Sequence, residues 1–142
     1  MTEDPHDLQR FVDAQERAGT YGQALEELRA GRKTTHWIWF VFPQVAGLGR
    51  SETARLFAID SLEEAKAYLE HPLLGPRLRE CCQALLDVGG RSAREILGET
   101  DATKLRSSMT LFAHAAPDEP LFRAVLDRYY EGERDEETER RL

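Results

Sequence analysis

Apolar side chains return every three or four residues along most of this chain, and the stretches that carry them open on capping residues and close on glycine or proline. Asp4-Pro5, followed by Leu8, Phe11 and Val12 and then Gly19, predicts a helix over residues 5–18, with proline in its first turn. Thr20 opens a second helix with Tyr21, Ala24, Leu25 and Leu28 on one face and Gly31 at its end. Ser51 caps a short helix through Ala54 and Phe57, and Ser61 with Glu64 forms a capping box for a helix to Glu70. Residues 76–88 carry the stripe Leu78, Cys81, Cys82, Leu85, Leu86, closed by Gly89-Gly90. Ser92 and Glu95 box a helix of a turn or two that stops at Gly98. Asp101 is expected to cap a helix with Leu105, Met109 and Phe112 inward, and Asp118 to open a last long one with Phe122, Val125, Leu126 and Tyr129 inward. Residues 133–142 hold five acids and three arginines beside one aliphatic side chain, so a solvated or frayed tail is expected there. No stretch alternates with a period of two. The pattern predicts an all-α single domain over residues 1–142, with about seven short helices around a buried aromatic segment.

That aromatic segment is His36-Trp37-Ile38-Trp39-Phe40-Val41-Phe42-Pro43-Gln44, which holds both tryptophans and has no charged side chain from Trp37 to Gln44. A run apolar on every side needs neighbours around it and is expected to seed the core. Periodicity does not separate strand from helix here. With no convincing partner strand in the chain, a helix or an extended non-sheet segment ended by Pro43 is expected. The following Gly47-Leu48-Gly49 reads as a turn rather than a dinucleotide loop, because no strand of a βαβ unit precedes it.

Composition narrows the picture. A chain of 142 residues with 41% hydrophobic content can bury a core without disulfides or metal. Its 19 Lys and Arg against 26 Asp and Glu give a net charge of −7, which disfavours nonspecific binding to nucleic acid or to an anionic membrane. The longest apolar run falls far short of the roughly 20 residues that cross a bilayer, and the acidic N-terminus has no signal-peptide pattern, so a cytoplasmic location is expected. Cys81 and Cys82 are adjacent and would point about 100° apart on a helix, which makes them expected core-edge thiols rather than a disulfide or metal pair. The histidines show no close ligand spacing, and no metal or cofactor is expected.

Candidate chemistry gathers at three blocks. Lys104 and Ser107 share a helix face, Arg106 lies beside them, and Ser107, Ser108 and Thr110 are poor helix formers that suggest a gain beyond helix stability. They read as an anion or sugar-hydroxyl site, or as small residues at a tight helix crossing with Lys104 solvated. His36 and His71 lie at two breaks and could form an acid and base pair, or each could cap its own neighbourhood. Trp37 and Trp39 could stack a base or simply pack, Gln44 could read a ligand edge or satisfy backbone, and His114 suits the end of its helix. GxSxG, HExxH and P-loop motifs are absent from the sequence.

The strings His36 to Gln44, His71-Pro72-Leu73-Leu74-Gly75-Pro76-Arg77-Leu78 and Lys104-Leu105-Arg106-Ser107-Ser108-Met109-Thr110-Leu111-Phe112 together resemble the signature blocks of an uncharacterised bacterial family whose members often carry the label calpastatin. The resemblance implies an all-helical fold and no established activity; nothing in the chain looks like a repetitive, disordered protease inhibitor. A fainter similarity, a helix ending in Leu-Gly and then one carrying methionine and an aromatic, is to a helical family that hydrolyses N-glycosidic bonds of ADP-ribose derivatives or riboflavin intermediates. That chemistry would need a carboxylate, for which Asp101 and Glu64 are the candidates. Two functions are therefore expected in competition. One is a small-molecule binding or hydrolytic domain, its pocket lined by His36, Trp39, Gln44, His71, Lys104, Arg106, Ser107 and Ser108 around a nucleotide-like or phosphorylated ligand. The other is a noncatalytic helical module for a protein partner. Convergence of the polar residues from all three blocks would favour the first. The sequence does not fix an oligomeric state.

Overall fold

Capping chemistry decides most of the helix boundaries. The computed structural model describes residues 4–142. Its α-helices in chain order are α1 (Gln9–Glu16), α2 (Thr20–Ala30), α3 (Ile38–Val41), α4 (Glu52–Leu56), α5 (Leu62–Glu70), α6 (Leu74–Asp87), α7 (Ala93–Leu97), α8 (Glu99–Ala115), α9 (Pro120–Tyr130) and α10 (Glu136–Arg140), with a 3-10 turn at Arg17–Gly19. The surplus over the expected seven is made of pieces four or five residues long, too short to show a period. The hydroxyls of Ser51, Ser61 and Ser92 accept from the backbone N–H groups of Ala54, Glu64 and Glu95, as their sequences predict. Only the third is a full box: the Glu64 side chain reaches back to Asp60 N instead of the cap residue.

Four expected starts move. Asp4 still caps, through its carboxylate to Leu8 N and Gln9 N, but the turns between carry α1 to a later start at Gln9. The helix expected from residue 76 begins at Leu74, because the His71 ring nitrogen Nδ1 accepts from both Leu73 N and Leu74 N. Gly98, at φ 87°, releases α8 directly at Glu99, so Asp101 lies in the first turn instead of capping it. Likewise Glu119 precedes α9, with Pro120 in its first turn, and Asp118 stays outside.

The centre of the core is α8, not the aromatic run. From Ser107 to Ala113 every residue of α8 is buried, and the helix touches α3, α5, α7, α9 and α10. A helix covered all round must be apolar or small all round, which explains a run mixing Met109, Leu111 and Phe112 with serine and threonine. The aromatic run packs against it as one helical turn, with Trp37, Ile38, Val41 and Phe42 buried and Trp39 and Phe40 partly exposed. So short a helix leaves carbonyls unpaired. The buried amide of Gln15 answers one of them, donating to Phe40 O at 2.7 Å, while its oxygen accepts from Arg77.

The described residues form no strand. A single parallel bridge, Val45 to Ile59, clamps the two ends of the loop that follows: Ile59 N donates to Gln44 O, and Ala46 N to Ile59 O, both at 2.8 Å. The chain end is also held. Most of residues 133–142 are exposed, as a solvated tail would be, yet the segment is not frayed. The Asp135 carboxylate accepts from Thr138 N and Thr138 Oγ1, the Thr138 side chain is fully buried, and Asp135 N donates to Thr110 Oγ1 on α8. Two small polar side chains dock the last helix, where charge counting predicts no anchor.

Candidate functional site

The segment before the aromatic turn is shaped by one buried carboxylate. Glu27, on α2, accepts from Thr34 N, Thr35 N, Thr35 Oγ1, Gln23 Nε2 and the indole N–H of Trp37. Burial alone would raise its pKa, but the donors from Thr35, Thr34 and Gln23 together outweigh it and hold the carboxyl at about 2. Glu27 thus fixes the strap 32–37 and the depth of Trp37.

From Trp37 an alternation of rings and charges runs to the surface. The Lys33 ammonium lies 5.1 Å from the centre of the Trp37 ring and 2.7 Å from Asp101 Oδ2. Asp101 Oδ1 faces the Lys104 ammonium at 3.7 Å, and that ammonium sits 4.9 Å from the centre of the Trp39 ring. The first turn of α8 is thereby bolted to the aromatic turn, and Lys104 and Trp39 come together although 65 positions separate them.

Beside this pair lies an apolar-walled groove of about 480 Å³, lined by Gln44, Leu48, Gly49 and Ala54 on one side and by Thr103, Lys104 and Ser107 of α8 on the other. Glu99, Asp135 and Glu137 stand on its walls, the last two from the docked chain end. A smaller cavity of about 220 Å³, which Trp39 lines, shares Gln44, Gly49 and Ala54 with it. Gly49 permits that shared wall: a methyl group there would fall onto the Ala54 side chain. The volume suits a small organic ligand.

The structure therefore brings together four of the expected residues, Trp39, Gln44, Lys104 and Ser107, and leaves four elsewhere. His36 is exposed in a different cavity with Arg17, Phe40, Leu56 and Phe57. His71 caps α6 and is not among the groove's lining residues; its block is a joint between α5 and α6, closed by Gly75, where a methyl group would strike the Leu69 carbonyl oxygen. Arg106 points toward Glu133 and Asp135, 3.8 Å from each, in an acidic hollow of its own. Ser108 is fully buried with its hydroxyl unpartnered, while Ser107 and Thr110 donate back to Thr103 O and Arg106 O. Of the two carboxylates named for hydrolysis, Glu64 pairs with Arg10 at 2.8 Å and Asp101 lies between two lysines. Glu99, Leu48 and the chain end were not among the candidates, and the last of these reaches the groove only through the docking of α10 on α8.

Other reactive groups are quenched. Burial first of all pushes the Cys81 thiol up to about 12 and Cys82 well above its ordinary value, so neither is a nucleophile at neutral pH. Among the described residues, no group of three or more His, Cys, Asp and Glu is placed to hold a metal ion, and no helix is long and apolar enough to cross a membrane.

Comparison with known proteins agrees with the three sequence blocks. A family model described as a protein of unknown function, DUF1810, matches residues 5–142. The crystal structure of a conserved hypothetical protein from Mycobacterium tuberculosis is 55% identical, with a TM-score of 0.95 over 98% of each chain. No curated protein matches.

Proposed function

The chain belongs to the DUF1810 family, whose function is unknown, and on that premise we propose that it is a small-molecule binding domain whose groove takes a nucleotide-like ligand. The observation that carries this reading is the meeting of Gln44 and Lys104, from separate blocks, in one groove beside the Trp39 ring. An apolar wall with a few convergent polar groups suits a planar base and a sugar: Leu48 and Ala54 cover apolar surface, the Gln44 amide pairs with a base edge, and Lys104 with Ser107 faces hydroxyl oxygens. Hydrolysis of an N-glycosidic bond would draw its carboxylate from Glu99, which lines the groove, because Glu64, Asp101 and Glu137 are committed to cations. The alternative of a protein-docking module has less support: the exposed large apolar side chains among the described residues are Leu56 and Leu142, too few for a continuous patch.

A thermal-shift panel of nucleosides, nucleotides, ADP-ribose, NAD and sugar phosphates tests the reading. A ligand at about 100 times its Kd should stabilise the fold by roughly 2.7 kcal/mol, a shift of several degrees, and Lys104→Ala should lose most of it. A panel without any shift, or shifts indifferent to Lys104, would overturn it.

A further inference from the structure

We infer that the groove admits the nucleoside part of its ligand and turns phosphoryl groups away, with Glu99 as a specificity-determining residue. This rests on the groove being the ligand site. Three carboxylates line it, Glu99, Asp135 and Glu137, against one ammonium, Lys104. That ammonium lies 3.7 Å from Asp101 Oδ1, a carboxylate it shares with Lys33, and 4.9 Å from the centre of the Trp39 ring. It can donate a hydrogen bond to a hydroxyl, whereas a phosphate that reaches for it must also face the three carboxylates of the lining.

The carboxylates differ in what opposes them. Asp135 accepts from Thr138 and lies 3.8 Å from Arg106, and Glu137 pairs with Arg140 and Arg141 outside the groove. Glu99, in the first turn of α8, has no side-chain hydrogen bond or ion pair among the described residues, so its charge acts on whatever enters. Glu99 is exposed, so a dianionic phosphate entering the groove meets its charge across partly solvated space, and the repulsion weakens with added salt. A neutral nucleoside meets none of this repulsion, and a nucleoside with a positively charged base gains from it.

The test is calorimetric titration of the protein with matched pairs that differ only by one phosphoryl group: adenosine and its 5′-monophosphate, guanosine and its 5′-monophosphate, nicotinamide riboside and its 5′-monophosphate. Each nucleoside should bind severalfold tighter than its phosphate, and Glu99→Gln, with an unchanged melting curve as the control that its fold is intact, should bring the ratio toward one. Equal or tighter binding of the phosphates, or a ratio unchanged in Glu99→Gln, would overturn this inference and leave the groove as the ligand site. Binding of neither member of any pair would overturn the groove reading along with it.

Discussion

Gly75 stands where the start of α6 meets the end of α5, so close that a methyl group on it would fall on the Leu69 carbonyl oxygen. The obstacle is backbone, which yields less readily than a side chain. Gly75→Ala would gain about 1 kcal/mol of helix propensity, but separating the two helices to admit the methyl should outweigh that gain and leave the protein about 1–3 kcal/mol less stable. Urea unfolding checks it, and a variant as stable as the parent would mean that the joint has slack. The same residue shows where sequence reading stopped. His71 to Pro76 is recognisable as a helix break, but a histidine ring as the acceptor that starts α6, and a glycine needed for interhelical contact rather than for a turn, are legible only once α5 and α6 are seen together.

Among the elements, those with local causes were legible. The serine caps of α4, α5 and α7 and the glycine stop of α2 are decided within four residues of chain, and sequence places them. The anchoring of α10 has a remote cause, the Thr110 hydroxyl on α8, and charge composition hides it. Half of the candidate site divides along the same line. Lys104 and Ser107 share a face by helix geometry alone, whereas the wall made by Asp135 and Glu137 exists only because the chain end is docked. Asp135→Ala removes the side chain that accepts twice from Thr138, so it should destabilise by about 1–2 kcal/mol. It should also raise hydrogen exchange across residues 136–142 before the core opens, which amide-resolved exchange measures. Uniform protection lost only with global unfolding would mean that α10 is held by something other than this cap.

For the molecule as a whole, acid is the condition that reaches its supports. Glu27 carries five donors in the native state, and its folded pKa of about 2 lies below the ordinary value of 4.5. A carboxyl depressed in this way contributes stability that is fully present above about pH 4.5 and is lost as pH falls toward 2. Unfolding free energy followed from pH 6 to pH 2.5 should therefore decline through that window, and Glu27→Gln should be about 2–4 kcal/mol less stable at neutral pH with a flatter decline. Parallel curves for parent and variant would assign the acid sensitivity to other carboxylates.

The two tryptophans stand at opposite ends of the chain of rings and charges that runs from Glu27 to Lys104. Trp37 is fully buried, with its N–H on a carboxylate; Trp39 is partly exposed, under an ammonium. An indole's excited state is more dipolar than its ground state, so its emission colour follows the electric field and the water around it. The protein thus carries two built-in lamps of different setting, one reading the strap that Glu27 holds and the other reading the mouth of the cavity beside the groove. Tryptophan emission from the Trp37→Phe protein comes from the mouth alone, and displacement of the Lys104 ammonium by an arriving molecule would register there as a change of colour without any label.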